Sequence, residues 1–298
     1  MRKNFNNTLD HIIKSPIISG QGVYLFTKDK KKYLDSTGGM TGSISLGWGN
    51  KHVQKEIINR LIERLTFINL IPRRVIDIGS GVGLSTKSLF EIYPKAEFFM
   101  MDHSSESLNS NILYDKNILP VCADFKNIPF ENSTFDFVFS SSALHWEIDI
   151  QNSFKEIYRI LKPGGLFLFS TYGPDTLIEL RSAWAQIDDQ KHVNDFYDMH
   201  DIGDLMQSLN FMDSVLDVEK IVIQYDEVSQ LQKDLKNIGS RVFYDDTEKI
   251  PLCSSQKMSA MYQEYEKFRS KLGHLPATYE VIYGSAWKRM DNIIEYAK

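Results

Sequence analysis

The chain has 298 residues, of which 42% are hydrophobic and 24% are charged, and its formal net charge is −5. This length and balance predict a globular protein with one large domain or two small ones. The negative charge argues against nucleic acid as a general partner, because neutralising phosphates requires a basic surface. No apolar run reaches the roughly 18 residues that cross a bilayer, so no membrane association is expected.

Cysteine and histidine usage indicates the compartment. Cys122 and Cys253 lie far apart in the sequence, and the N-terminus has no apolar core typical of a signal peptide. Both features favour the reducing cytoplasm over a secreted, disulfide-bonded protein. The histidines show no spacing typical of metal ligands, so no metal site is expected.

Residues 1–58 do not follow the alternation of strands and helices that comes after them. Val23–Phe26 and Lys32–Asp35 flank a polar turn and predict a β-hairpin. We expect an atypical N-terminal segment over 1–58 and a main domain over 59–298. An amphipathic helix is predicted at the junction, over Lys55–Leu65.

From about Arg74 onward, short β-rich runs alternate with amphipathic stretches, a pattern typical of a parallel sheet with crossover helices. Strands are predicted at Val75–Ile78, Glu97–Met101, Pro120–Cys122, Phe135–Ser140, Leu166–Thr171, Val215–Tyr225 and Thr278–Tyr283. Helices are predicted at Leu84–Tyr93, Ser105–Asp115, Gln151–Leu161, Asp175–Ile187 (with Asp175 as N-cap), Val228–Ile238 and Ser255–Leu272. The order predicts an α/β fold with a doubly wound, mostly parallel seven-stranded sheet.

The segment DIGSGVG, residues 77–83, lies between a predicted strand and a predicted helix. Glycines suit such a turn because the chain bends sharply and a ligand can approach where a Cβ would block it. The free N–H groups at the helix start can bind electronegative ligand atoms. A tight turn without a ligand would give the same local pattern. The residues expected to line a nucleotide site are Asp77, Gly79, Ser80, Gly81 and Gly83.

Further cofactor contacts are predicted where the next strands end. Asp102 ends the second strand, about 20 residues after the glycine segment, where a carboxylate commonly binds ribose hydroxyls. His103 follows it directly. Asp124, after the third strand, can accept a hydrogen bond from an adenine amino group or cap a turn, and Phe125 can pack on the base. Ser140, at the end of the fourth strand, completes this set.

The spacing also discriminates between cofactors. Dinucleotide enzymes use G-x-G-x-x-G, whose glycines hold a pyrophosphate, whereas this segment reads D-x-G-x-G-x-G. An aspartate at the strand end would repel phosphate and attract the positive amino group and sulfonium of S-adenosylmethionine. The sequence therefore predicts a methyltransferase that uses S-adenosyl-L-methionine.

Substrate contacts are expected where the fourth and fifth strands end, because ligands of open α/β sheets bind there. His145 can hydrogen-bond a substrate or can be a surface group. Tyr172 follows the fifth strand. Arg181, in the next predicted helix, can bind a carboxylate through two hydrogen bonds or form an exposed ion pair. His200 lies in a polar segment, 192–201, for which helix capping does not account fully.

Several stretches of sequence are more specific than the fold requires: LIERLTFINLIPRRVIDIGSGVG, SSSALHW, EIYRILKPGGLFLFSTYGPDTLIELRSAW, HVNDFYDMHDIGDLM and LPATYEVIYGSAW. They span about Arg60 to Lys288 and resemble the malonyl-acyl-carrier-protein O-methyltransferase family of biotin synthesis, within the class I methyltransferases. The resemblance implies methylation of the free carboxylate of a malonyl thioester, carried on acyl carrier protein or coenzyme A. The candidates for orienting that carboxylate are His145, Tyr172, Arg181 and His200.

An acyl carrier protein is acidic, so the resemblance also implies a basic docking surface. The candidate contacts are Lys155, Arg159, Lys162, Lys288 and Arg289, although ordinary solvated faces would look the same.

The N-terminal stretch GQGVYLFTKDKKKYLD differs from the usual start of that family. It is similar to the opening of a class III aminotransferase, without the downstream lysine region, and indicates an in-frame fusion that packs poorly on the rest. Two alternatives stay open: a class I methyltransferase with another substrate, and a cofactor-binding or assembly protein without catalysis.

Overall fold

The computed structural model describes residues 17–21, 24–27, 32–34, 51–110, 115–147, 149–237 and 255–290. Before residue 51 only the backbone is described. There, β1 (Ile17–Gln21), β2 (Tyr24–Thr27) and β3 (Lys32–Leu34) form an antiparallel sheet in that order. The pairing of β2 with β3 confirms the predicted hairpin. β1 was not predicted, because a Ser-Gly pair in its middle is unusual in strands. How residues 1–50 pack on the rest lies outside the described residues.

The main sheet has seven strands in the order β6-β5-β4-β7-β8-β10-β9. Their bounds are β4 (Arg74–Ile78), β5 (Glu97–Asp102), β6 (Ile118–Cys122), β7 (Phe135–Ser141), β8 (Leu161–Tyr172), β9 (Phe211–Tyr225) and β10 (Leu275–Lys288). β4 to β8 pair in parallel, and β10 lies antiparallel between β8 and β9. The predicted doubly wound, mostly parallel sheet is confirmed, with its change of direction between β4 and β7.

The helices cover both faces of this sheet. Their bounds are α1 (Lys51–Leu65), α2 (Leu84–Ile92), α3 (Ser105–Asn109), α4 (Ile150–Ile160), α5 (Ile178–Trp184), α6 (Met199–Ser208), α7 (Val228–Asn237) and α8 (Ser255–Glu266), with a 3-10 turn at Leu144–Trp146. The strand residues alternate between two buried clusters. Phe98 and Met100 belong to one, Phe99 and Met101 to the other, as expected for strands buried on both faces.

The predicted junction helix is confirmed and begins earlier than expected. α1 buries Val53, Ile57, Leu61 and Leu65 at helical spacing, and it packs against α2, β7 and β8. The predicted boundary at residue 58 falls inside this helix. Residues 51–58 therefore belong to the same folded unit as the sheet.

The predicted helix Asp175–Ile187 is shorter than expected, and Asp175 does not cap it. Leu177 precedes the first turn of α5 with a φ of 55°. The backbone N–H of Asp175 donates to Glu280 of β10, and its carboxylate pairs with Lys220 of β9. The antiparallel strands thus hold the chain that leaves β8, and they delay the helix.

Candidate cofactor and substrate site

Glycines with positive φ shape the turn after β4. Gly79, Gly81 and Gly83 have φ values of 73°, 55° and 88°. A Cβ on Gly79 would lie 2.2 Å from the Cβ of Ala143, so this residue lies against the chain that follows β7. At Gly81 nothing lies within 4 Å of the position that a Cβ would take. The middle of the loop therefore leaves room for a ligand along its backbone.

Asp77 lies fully buried beneath this loop. Its Oδ2 accepts hydrogen bonds of 2.6 Å from the hydroxyls of Ser85 and Thr86 in the first turn of α2. Its Oδ1 is buried and has no partner among the described residues. Burial raises the pKa of Asp77 to about 6, although the two hydroxyls partly offset this rise. A buried carboxylate oxygen without a partner favours a ligand that brings a donor or a positive charge.

Asp102 connects the end of β5 to the glycine loop. Its Oδ2 accepts the N–H of Gly81 and its Oδ1 accepts the N–H of Ser104, both at 2.9 Å. Burial raises the pKa of Asp102, and these backbone hydrogen bonds oppose the rise. Each carboxylate oxygen keeps a second acceptor position that can receive a ribose hydroxyl. The structure thus brings together the glycine segment and the acidic strand end.

Phe125 and Asp124 lie beyond the end of β6. The ring of Phe125 reaches to 3.3 Å from the position of a Cβ on Gly79, so it forms a wall beside the turn. Asp124 is exposed, and its Oδ1 accepts the N–H of Lys126 at 3.0 Å. This is the turn-capping arrangement that the sequence left as an alternative. His103 is exposed next to Asp102.

Two serines of the predicted set, Ser80 and Ser140, donate hydrogen bonds to backbone carbonyls of the neighbouring strands. Ser80 donates both its backbone N–H and its hydroxyl to the carbonyl of Met101. Ser140 is fully buried and donates its hydroxyl to the carbonyl of Ile78 at 3.0 Å, which links β7 to β4. Both hydroxyls therefore have partners within the chain, at the two strand ends that border the predicted site.

Aromatic side chains from separate elements meet where β7 and β8 end. The ring centroid of His145 lies 4.6 Å from that of Tyr172 and 4.7 Å from that of Trp146. Phe196, in the segment between α5 and α6, lies 6.1 Å from His145 and 5.9 Å from Tyr172. Tyr279 of β10 lies 6.0 Å from Tyr172. These rings form one wall of the predicted substrate side.

The polar groups of this wall are uncharged at neutral pH. Burial lowers the pKa of His145 to about 3, and its Nδ1 is buried without a partner among the described residues. Burial raises the pKa of Tyr172 to about 12, although a hydrogen bond with Ser142 opposes the rise. The Tyr279 hydroxyl is also buried without a partner in the described part of the chain. Buried polar groups are normally hydrogen-bonded, so this set favours a bound ligand.

Arg181 does not form the exposed ion pair that the sequence left as an alternative. Its Nη2 donates to the carbonyl of Asn194 at 3.0 Å, in the segment that also carries Phe196. Its Nε is buried and has no partner within the described ranges. The guanidinium therefore keeps donor capacity for an anionic ligand.

Comparison with known proteins identifies the family. The methyltransferase-domain family profile matches residues 76–169, from β4 into β8. The chain is 42% identical over 245 residues to malonyl-[acyl-carrier protein] O-methyltransferase 1 of Coxiella burnetii, covering 82% of this chain and 84% of that protein. It is 39% identical to the malonyl-[acyl-carrier protein] O-methyltransferase of Gallionella capsiferriformans, covering 79% and 84%. The chain belongs to the malonyl-[acyl-carrier protein] O-methyltransferase family.

Solved structures support the fold assignment for this family member. A putative methyltransferase from Bacillus halodurans has a TM-score of 0.57 at 16% identity, covering 79% of this chain and 100% of that chain. The Haemonchus contortus phosphoethanolamine N-methyltransferase 2, solved with S-adenosyl-L-methionine, has a TM-score of 0.51 at 17% identity, covering 88% and 62%. At these identities the likeness shows the class I methyltransferase fold.

His200, another residue predicted to orient the substrate carboxylate, lies away from the aromatic wall. The side chain of His200 is 83% exposed at the start of α6, and its Nδ1 contacts Asp198 at 2.6 Å. The hydrogen bond with Asp198 raises the pKa of His200. The structure therefore does not bring His200 to the aromatic wall. Helix capping by Asp198 and the ion pair between Asp198 and His200 account for the position of His200.

Most cations of the predicted docking patch form hydrogen bonds or ion pairs with other groups of the chain. Arg159 donates to Glu156 and to backbone carbonyls of the loop before β7. Lys162 pairs with Asp136 at 2.8 Å, and Lys288 donates to the carbonyl of Leu161 at 2.7 Å. These three candidates therefore have partners within the chain, and the docking surface stays a prediction. The candidates Lys155 and Arg289 are exposed.

Tyr279 and Phe196 belong to the aromatic wall and were not among the predicted site residues, although both lie in stretches singled out by their specificity, LPATYEVIYG and HVNDFYD. The sequence could not tell which tyrosine of β10 faces Tyr172, because that depends on the antiparallel register with β8. Among the described residues, no group of three or more His, Cys, Asp or Glu is arranged to hold a metal ion. In the same part of the chain, no helix has the length and apolarity to cross a membrane.

Proposed function

We propose that this protein methylates the free carboxylate of a malonyl group held as a thioester on acyl carrier protein, an early step of biotin synthesis in the cytoplasm. The methyl donor is S-adenosyl-L-methionine. The observation that carries the proposal is the 42% identity to the Coxiella burnetii enzyme across 82% of the chain. The neutral, partly unpaired polar groups at the ends of β7, β8 and β10 support it.

The glycine loop and its acidic neighbours fit the donor. Asp77 offers a buried, unpartnered carboxylate oxygen near a loop whose centre at Gly81 is open. Asp102 is placed to accept from ribose hydroxyls, and Phe125 can pack beside the adenine. When bound, S-adenosylmethionine supplies an electrophilic methyl group on a positively charged sulfur. Its positive end would also favour the ionised form of Asp77.

The substrate side orients the acceptor and excludes water. The malonyl carboxylate is ionised at neutral pH, since carboxylic acids titrate near pH 4, so no general base is required. His145 and Tyr172 can hydrogen-bond the carboxylate while remaining uncharged. Arg181 attracts the anion, and the ring of Phe196 packs on His145 and Tyr172. Catalysis then comes mainly from holding the acceptor oxygen in line with the transferred methyl group.

A transfer assay tests this function directly. The protein is incubated with methyl-labelled S-adenosylmethionine and malonyl-acyl carrier protein, and the product is treated with mild base. We expect a base-labile methyl ester on the malonyl group. Acetyl-acyl carrier protein, which has no free carboxylate, is the matched control and should stay unlabelled. Malonyl-CoA in a parallel reaction measures the preference between carriers. Donor binding without label on malonyl-acyl carrier protein would contradict the proposal.

A further inference from the structure

A partly buried polar network fixes the segment between α5 and α6. Asp188, just after α5, contacts Nε2 of His192 through Oδ1 at 2.8 Å and Nζ of Lys257 through Oδ2 at 2.5 Å. The side chains of Asp188 and His192 are only 13% and 11% exposed. The imidazole also stacks on the Trp184 ring, with centroids 3.7 Å apart and planes 8° apart. The network thus joins the end of α5, the segment after it and α8.

Asp188 is charged in this network. Burial alone would raise the pKa of Asp188, but hydrogen bonds from Lys257 and His192 outweigh it and lower the pKa to about 2. A buried charge is tolerated only when such partners compensate for its lost hydration. Removal of one partner would leave the others uncompensated, so the network acts as a unit.

The segment held by this network carries parts of the substrate side. Val193 is buried in the core beneath it. The carbonyl of Asn194 accepts from Arg181 at 3.0 Å. Phe196 packs on His145 and Tyr172. The path of residues 192–196 therefore decides where the guanidinium and the covering ring lie.

We propose that Asp188 is a positioning residue for substrate binding: through His192 and Lys257 it holds residues 192–196 so that Arg181 and Phe196 keep their places. The inference rests on the proposed function for its kinetic consequence. The network also gives a role to His192, which lies in the polar segment 192–201 that helix capping did not account for fully. Asp188 acts on Arg181 and Phe196 only through residues 192–196, and it is not proposed to contact the substrate itself.

The test compares Asp188→Asn and Lys257→Met with Asp195→Asn as a matched control. Asp195 lies in the same segment and also pairs with a lysine, Lys191, but its side chain is 78% exposed. We expect Asp188→Asn and Lys257→Met to speed amide hydrogen exchange over residues 192–197 by about tenfold or more, because the segment opens locally. The control should leave exchange unchanged.

Kinetics provide the second readout. In the two network variants, kcat/KM for malonyl-acyl carrier protein should fall about tenfold or more, mainly through KM, because small displacements of orienting groups are costly. The affinity for S-adenosylmethionine, measured by calorimetry, should stay within about twofold. Lys257→Arg, which keeps a cation at this place, should recover most of the lost efficiency.

Two results would overturn the inference: exchange over residues 192–197 that is no faster in Asp188→Asn than in Asp195→Asn, or equal losses of donor affinity and substrate KM together with a lowered melting temperature. The second would mean a general loss of stability. If the wild type does not methylate malonyl-acyl carrier protein, the proposed function fails, while the exchange comparison still decides whether Asp188 anchors the segment.

Discussion

On the proposed cofactor side the chain presents mainly its backbone, whereas on the proposed substrate side it presents side chains from distant elements. Glycines with positive φ form the loop after β4, and Asp102 holds backbone N–H groups of that loop and of the next turn. On the proposed substrate side, the neighbouring rings of His145, Tyr172 and Tyr279 come from three separate elements: the turn after β7, β8 and β10.

This difference predicts opposite sensitivities. A site formed by backbone tolerates the loss of side chains that do not bind the ligand. It does not tolerate an added atom at a position where close-packed neighbours would meet it. A site formed by side chains can lose one without losing the fold, but it loses orientation of the ligand. The following predictions are ordered from the largest expected effect to the smallest.

Gly79→Ala should harm the cofactor side most. The new Cβ would lie 2.2 Å from that of Ala143, at a φ of 73°. Strain and overpacking together should cost about 3 kcal/mol of unfolding free energy, and donor binding should be lost. Urea unfolding measures the first effect and calorimetry the second. Gly81→Ala is the control for the unfolding measurement alone, since its φ is also positive but its Cβ would meet nothing within 4 Å. It is no control for donor binding, because the donor is proposed to lie along this open part of the loop. Gly81→Ala should cost only about 1 kcal/mol. Equal costs would contradict a turn packed on Ala143.

Asp102→Ala should weaken donor binding strongly while the protein stays folded. The variant loses the proposed acceptor for the ribose hydroxyls and the hydrogen bond to Gly81. We expect a loss of about 2–3 kcal/mol, more than about tenfold in affinity by calorimetric titration. Asp115→Ala removes an exposed aspartate that caps a turn at Asn117 and was not predicted in the site, so it should change affinity less than about threefold. Unchanged affinity in Asp102→Ala would defeat the site assignment.

Arg181→Met should separate the two sides of the cleft. The substitution keeps much of the packing volume and removes the guanidinium that the substrate carboxylate would meet. We expect unchanged donor affinity and a fall of about tenfold in kcat/KM with malonyl-acyl carrier protein. Arg269→Met, which removes a half-exposed ion pair on Glu266, should have no such effect. If turnover fell less than about threefold, roughly 0.7 kcal/mol, the carboxylate-binding role would have to be abandoned.

The sequence predicted the cofactor side more fully than the substrate side, for a physical reason. The glycine loop is encoded locally, because positive φ and the strand-to-helix turn depend on neighbouring residues. Asp102 needed only one further rule, that adjacent parallel strands end at the same edge. Asp175 and Tyr279, in contrast, depend on β10, which enters the sheet antiparallel from the far end of the chain. Nothing in the local sequence around Asp175 shows that the carboxylate of Glu280 accepts a hydrogen bond from the backbone N–H of Asp175.

Asp77 and His145 should oppose each other in the pH dependence of stability, one on each side of the cleft. The pKa of Asp77 is about 6 in the fold against 3.8 for an ordinary aspartate, so its contribution to stability is present at low pH and is lost as pH rises through 6. The pKa of His145 is about 3 against 6.5, so its contribution is present above pH 6.5 and is lost as pH falls toward 3. Between pH 4.5 and 6, Asp77 lowers the unfolding free energy with rising pH and His145 raises it, and these two slopes nearly cancel.

Single substitutions should therefore reveal slopes that the wild type hides. In Asp77→Asn, whose amide oxygen can still accept from Ser85 and Thr86, the contribution of His145 is no longer offset by that of Asp77. The unfolding free energy should therefore rise more steeply than in the wild type between pH 4.5 and 6. In His145→Gln it should fall over the same range. Each slope is at most about 1.4 kcal/mol per pH unit, and partial titration reduces it to about 1. Urea unfolding of the ligand-free protein at several pH values measures it. Asp188, with a pKa of about 2, titrates below this window and adds little. Slopes of the same sign in both variants would show that the two halves of the cleft do not differ in this way.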